Sequence, residues 1–229
     1  MPRSKQRTWK VESELGTVTA KACLPEGYDP ETHPTIVFGH GAGADQDHSF
    51  MCDMREGLAR EGCGAVTFNF HYKEAGRNAP DRAPKLMATF RAAIESAKAK
   101  LGVDQVFLGG KSLGGRMASM IAAEGDGCRG LVFFGYPLHP PKQMEKARVA
   151  HLPDITVPML FLAGTRDALS DPELLKKTVK GLGKKAAIHW IEDGDHSFGV
   201  LKRTGKTEAE VRAELCQVAA DWMKSTEAG

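Results

Sequence analysis

Long apolar runs are missing from this sequence of 229 residues: nowhere do the roughly 20 consecutive apolar residues of a membrane-spanning helix occur. The basic start, Met1–Pro2–Arg3–Ser4–Lys5–Gln6–Arg7, leads into no apolar segment of the secretory-signal kind, so a cytoplasmic location is expected. Cysteine is sparse. Cys23, Cys52, Cys63, Cys128 and Cys216 form an odd, scattered set without C-x-x-C spacing, which excludes a disulfide framework and suits reduced thiols packed in a core. Charge of one sign is not in excess either. The 31 Lys and Arg against 29 Asp and Glu leave a formal +2 with the signs interspersed, so no nucleic-acid footprint is expected. Internal repeats and low-complexity segments are absent. What remains, with 41% hydrophobic residues, suits one globular α/β domain over residues 1–229 with a sizeable core.

Short apolar runs are plentiful, and they alternate with helical patterns. Trp9–Ser13 and Thr17–Leu24 flank Leu15–Gly16 and predict an antiparallel hairpin at a sheet edge. Thr35–Phe38, Ala65–Phe70, Val106–Leu108, Leu131–Phe134, Met159–Leu162 and Ala187–Ile191 read as buried strands. Helices are expected over 48–61, from Pro84 to Leu101, after Ser112, and from a capping box at Thr207–Glu210 to the C-terminal face of Val211, Leu215, Val218 and Trp222. Residues 71–82 read as a polar loop. The alternation predicts a mostly parallel, doubly wound sheet of about seven or eight strands, with ligands bound at the strands' carboxyl ends.

The unusual residues lie at those ends. Gly110–Lys111–Ser112–Leu113–Gly114 is a G-x-S-x-G set between a strand and a helix, the context of a strained turn that exposes a nucleophilic serine. A phosphate-binding loop would need a further glycine where Gln105 stands, which removes the nucleotide reading. A serine hydroxyl needs a base, and the base needs an orienting acid. Asp167 follows the strand ending at Leu162, and His196 lies in the Gly194–Asp195–His196 loop after the last strand. Ser112, Asp167 and His196 are therefore the catalytic candidates. The Leu113 amide, at a helix N-terminus, and the Ala42 amide, in the small-residue turn Gly39–His40–Gly41–Ala42–Gly43, are the candidate oxyanion donors.

At these motifs the chain resembles the α/β-hydrolase superfamily over nearly its whole length, in the compact dienelactone-hydrolase-like form without a large lid domain. Phe38–Asp45, the Gly-Lys-Ser-Leu-Gly-Gly-Arg elbow, Tyr136–Pro141 and Gly164–Asp167 are similar to bacterial hydrolases related to testis-expressed protein 30 and to the hydrolase-like domain of nonspecific-lethal-complex subunit 3. Dienelactone hydrolases proper carry a cysteine nucleophile. Ser112 in that place turns the expectation towards a serine esterase.

The leading expectation is thus a serine hydrolase of small esters or thioesters that works through an acyl-Ser112 intermediate and needs no metal or cofactor. Its partners are expected to be a small ester, with no nucleic acid or membrane, as a monomer or homodimer. Gly41, Lys111, His139, His71 and Phe198 are expected to contact substrate, and Lys111, Arg116, Arg77, His71 and His139 to make a cationic mouth. Phe50, Met51 and Tyr136 are candidates for an acyl pocket. Asp45, Asp47 and His48 suggest a metal less than a helix cap. A non-catalytic binding protein on the same fold is the alternative of another class; a peptidase or acyltransferase is the alternative among enzymes.

Overall fold

The computed structural model describes residues 4–125 and 127–227; residues 1–3 of the basic N-terminal segment lie outside them. In chain order the elements are β1 (Lys5–Ser13), β2 (Gly16–Leu24), β3 (Thr35–Gly39), α1 (Ser49–Arg60), β4 (Gly64–Phe68), α2 (His71–Glu74) and α3 (Ala83–Leu101). They continue with β5 (Phe107–Lys111), α4 (Leu113–Ala123), β6 (Leu131–Phe134), β7 (Met159–Gly164), α5 (Pro172–Leu182), β8 (Ala186–Ile191) and α6 (Glu208–Glu227).

One eight-stranded sheet runs in the order β1-β2-β4-β3-β5-β6-β7-β8. The first two strands form the antiparallel hairpin, in register from Lys5 opposite Leu24 to Ser13 opposite Gly16. β2 pairs antiparallel with β4, and every later pairing is parallel. The central strands read as unbroken apolar runs because both their faces are covered. One face packs on α3 and α4 through residues such as Phe90, Met117 and Ile121; the other packs on α1 and α6 through Met54, Leu58, Leu215 and Met223. Together these elements make the α/β-hydrolase fold.

Three local outcomes differ from the sequence expectation. β4 ends at Phe68, and beyond it the Phe70 amide donates to the His40 imidazole instead of to a neighbouring strand. The expected loop at 71–82 opens with the helical turn α2, held as Glu74 accepts from Asn69 and Thr19 side chains. β5 runs past its apolar residues through Gly109 and Gly110 to Lys111, since both glycines pair on one side with β3 and on the other with β6. The capping box at α6 is formed as expected: Glu210 N donates to Thr207 Oγ1 at 3.2 Å, and Thr207 N donates to Glu210 Oε2 at 2.7 Å.

Candidate active site

Ser112 stands between β5 and α4 with φ 49° and ψ −110°, a conformation that residues with a Cβ rarely adopt. Crossing of the chain at this point explains the flanking glycines. A Cβ on Gly114 would fall 2.1 Å from Gly39 O, and one on Gly110 would fall 2.5 Å from the same oxygen. Neither distance is compatible with a side chain, so β3, β5 and the start of α4 meet only because both positions are glycine. The turn lifts Ser112 Oγ out of the strand direction, while Arg116 N donates to Ser112 O to begin the helix.

His196 and Asp167 arrive from the loops after β8 and β7. His196 Nε2 lies 2.9 Å from Ser112 Oγ, and His196 Nδ1 lies 2.8 and 2.9 Å from the two carboxylate oxygens of Asp167. A carboxylate accepts, so Nδ1 carries the ring proton and Nε2 presents its lone pair to the serine hydroxyl. The Asp167 side chain is fully enclosed, and its Oδ1 also accepts from Leu169 N at 2.8 Å. The histidine loop is shaped by its own aspartates: Asp195 Oδ1 accepts from the Ser197 and Gly199 amides, and Asp193 is gripped by Arg203.

The turn after β3 lies directly against the serine. A Cβ on Gly41 would sit 3.8 Å from Ser112 Cβ and 3.6 Å from Lys111 Cγ, ordinary contact distances. His40 fixes this turn from inside the protein. Its Nε2 accepts from Phe70 N at 3.1 Å, which leaves Nδ1–H to donate to Gly41 O at 2.9 Å. Burial pushes the His40 imidazole down to about 4, so it holds both contacts as the neutral ring at neutral pH. In a trans peptide the carbonyl oxygen and the next amide hydrogen point in opposite directions. Gripping Gly41 O therefore turns the Ala42 N–H away from His40. Neither the Ala42 nor the Leu113 amide donates a hydrogen bond among the described residues.

Ser112 and His196 open on a cleft of about 490 Å³. Gly41, Ala42 and Lys111 border it, and Phe50 and Met51 of α1 give it an apolar wall. His48, Leu169, Glu208 and Arg212 also border it, and sequence reasoning did not place them there. His48 is the N-cap of α1, its Nδ1 accepting from Phe50 N; Asp47 pairs with Lys21. Arg212 is held by Asp53 and Glu208, which joins the start of α6 to α1 at the cleft's far end. The only signal for this in the sequence is the capping box, which locates the helix but not its neighbour.

Several expected substrate contacts are corrected. His139 is buried, donating from Nδ1 to Pro140 O and accepting at Nε2 from Asp171 N, so it joins two loops and does not border the cleft. His71 packs on the hairpin, where a Cβ on Gly16 would meet its Nε2 at 2.7 Å. Phe198 is buried behind the wall, its ring stacked on Phe50 at 5.8 Å between centroids. Tyr136 is enclosed with Ser119 and His151. The cationic mouth dissolves accordingly: Arg77 pairs with Asp81, Arg116 lies by Tyr136 and Arg148, and Lys111 directs its ammonium to the His196 carbonyl at 2.6 Å.

Comparison with known proteins bears on the family and the fold. The sequence model of a family described as an alpha/beta hydrolase domain matches residues 32–224. Carboxymethylenebutenolidase of Pseudomonas putida is 27% identical over 178 residues, covering 69% of this chain and 72% of that protein. Dienelactone hydrolase from Anabaena variabilis superposes with a TM-score of 0.75 at 17% identity, over 97% of this chain and 98% of that one. An α/β serine hydrolase without a lid from Xanthomonas campestris gives 0.72 at 19% identity, over 95% of both. At such identities the structural likenesses speak for the fold.

Proposed function

Because the chain belongs to the alpha/beta hydrolase family, we propose that it is a serine hydrolase that cleaves small carboxylic esters or thioesters. The observation that carries this reading is the unbroken contact from Ser112 Oγ through His196 to Asp167 at the floor of an open cleft. A carbonyl carbon entering the cleft meets the Ser112 hydroxyl. His196 Nε2 takes the hydroxyl proton as the oxygen attacks, and Asp167 holds the ring tautomer and stabilises the imidazolium that forms.

Negative charge then develops on the substrate oxygen. The Leu113 amide, first of α4, and the Ala42 amide, turned by His40, are the donors assigned to it. Each such donor contributes about 3 kcal/mol in the transition state. His196 passes its proton to the leaving alcohol or thiol, which departs and leaves an acyl-Ser112 ester. Water, deprotonated by the same imidazole, attacks that ester and releases the acid.

A cleft of about 490 Å³ with an apolar wall favours short acyl groups. Hydrolysis of p-nitrophenyl esters, followed from the first turnover, tests this. Acetate and butyrate esters should be cleaved with an initial burst of one nitrophenol per protein and palmitate poorly. Hydrolysis of none of the series, nor of the matching thioesters, would contradict the reading.

A further inference from the structure

Lys111 is an unusual neighbour for a catalytic serine, being a cation at the last position of a buried strand. Its ammonium donates to the main-chain oxygen of His196 at 2.6 Å, across 85 residues of sequence. It also lies 5.7 Å from the centre of the Phe198 ring, two residues beyond the histidine. Asp195 ties its loop to itself, through the Ser197 and Gly199 amides. The Lys111 contact joins the nucleophile's own strand to the backbone of the base. It also brings charge close. The position that a Gly135 Cβ would take is 3.2 Å from Lys111 Nζ and 3.6 Å from His196 Cε1, so about 7 Å at most separates ammonium and ring.

We propose that Lys111 is a positioning residue for the base: it straps the His196 backbone to β5 and biases the imidazole towards its uncharged form. The proposal rests on His196 being the general base of the hydrolase reading. A cation near an imidazole disfavours the imidazolium, so the strap keeps Nε2 free to accept the Ser112 proton at lower pH. Around the ammonium, the loops after β7 and β8 bring Asp167, Asp195 and His196, and Gly135 faces it from the loop after β6, while Gly41 of the loop after β3 lies against the Lys111 stem. Burial pushes the Lys111 ammonium down to about 8, against the pull of Asp167 and Asp195. The bias therefore weakens as pH rises through that value and the ammonium loses its charge.

The test is the titration of His196 by NMR, its signal assigned with His196→Gln, in wild type, Lys111→Met and Lys111→Arg, with kcat and KM for p-nitrophenyl acetate measured across pH. Loss of the charge in Lys111→Met should raise the His196 midpoint and the acid limb of kcat/KM by about half to one pH unit. It should also lower kcat about tenfold with KM little changed, since alignment and not substrate binding is lost. Lys111→Arg, keeping charge and donor, should restore most of both. An unmoved midpoint in a folded Lys111→Met protein, with wild type hydrolysing the ester, would overturn the proposal and leave the hydrolase reading standing. A raised midpoint with wild type inert to esters would support the strap and count against the hydrolase reading.

Discussion

Ser112 is held at a φ of 49° that its side chain resists, and the flanking glycines make room for the turn without relieving the serine itself. Backbone strain of this kind costs of order 1–3 kcal/mol and is retained where chemistry needs the geometry. Ser112→Gly should therefore stabilise the protein by about 1 kcal/mol, raising Tm by about 2–4 °C while abolishing ester hydrolysis. Calorimetry of the variant beside wild type checks this, and an unchanged or lower Tm would speak against strain at the turn. At this scale the sequence was legible wherever chemistry demands a residue type in a fixed context: Ser112, Asp167 and His196 each follow a strand in the order the fold requires. It was not legible for His139, His71 and Phe198. Whether a side chain reaches the cleft depends on which backbone groups compete for it, and His139 is claimed by Pro140 O and Asp171 N from a segment 32 residues away.

Among the elements, the meeting of β3, β5 and α4 decides the site. Gly39 O is the nearest atom to the Cβ positions of both Gly110 and Gly114, so the elbow and the end of β3 are one packed unit. Gly114→Ala forces a methyl to within 2.1 Å of that oxygen. Backbone cannot yield as a flexible side chain does, and the substitution should destabilise by at least about 3 kcal/mol. Urea unfolding measures it, and a loss below about 1 kcal/mol would contradict such close packing. Apolar runs revealed β3, β6 and β7 because strands covered on both faces need continuous hydrophobicity. The glycine end of β5 and the turn α2 escaped that signal. Ladder pairing from both neighbours holds the first, and side-chain bonds to Glu74 hold the second; neither leaves a hydrophobic period to read.

Over the whole molecule, the sheet order gathers the carboxyl ends of β3, β5, β7 and β8 along one rim, so residues far apart in sequence converge on Ser112. That convergence follows from alternating strands and helices and was readable. The far end of the cleft was not, because Glu208 and Arg212 reach it only through the packing of α6 on α1. The proposed function requires that this convergence make Ser112 an activated nucleophile. Labelling of the purified protein with a fluorophosphonate probe tests it most directly, with Ser112→Ala and His196→Ala alongside. An activated Ser112 predicts covalent labelling of wild type, no labelling of Ser112→Ala, and labelling of His196→Ala slowed by at least about a thousandfold. A well-folded wild type that the probe leaves unlabelled, or a Ser112→Ala protein labelled as readily as wild type, would contradict it.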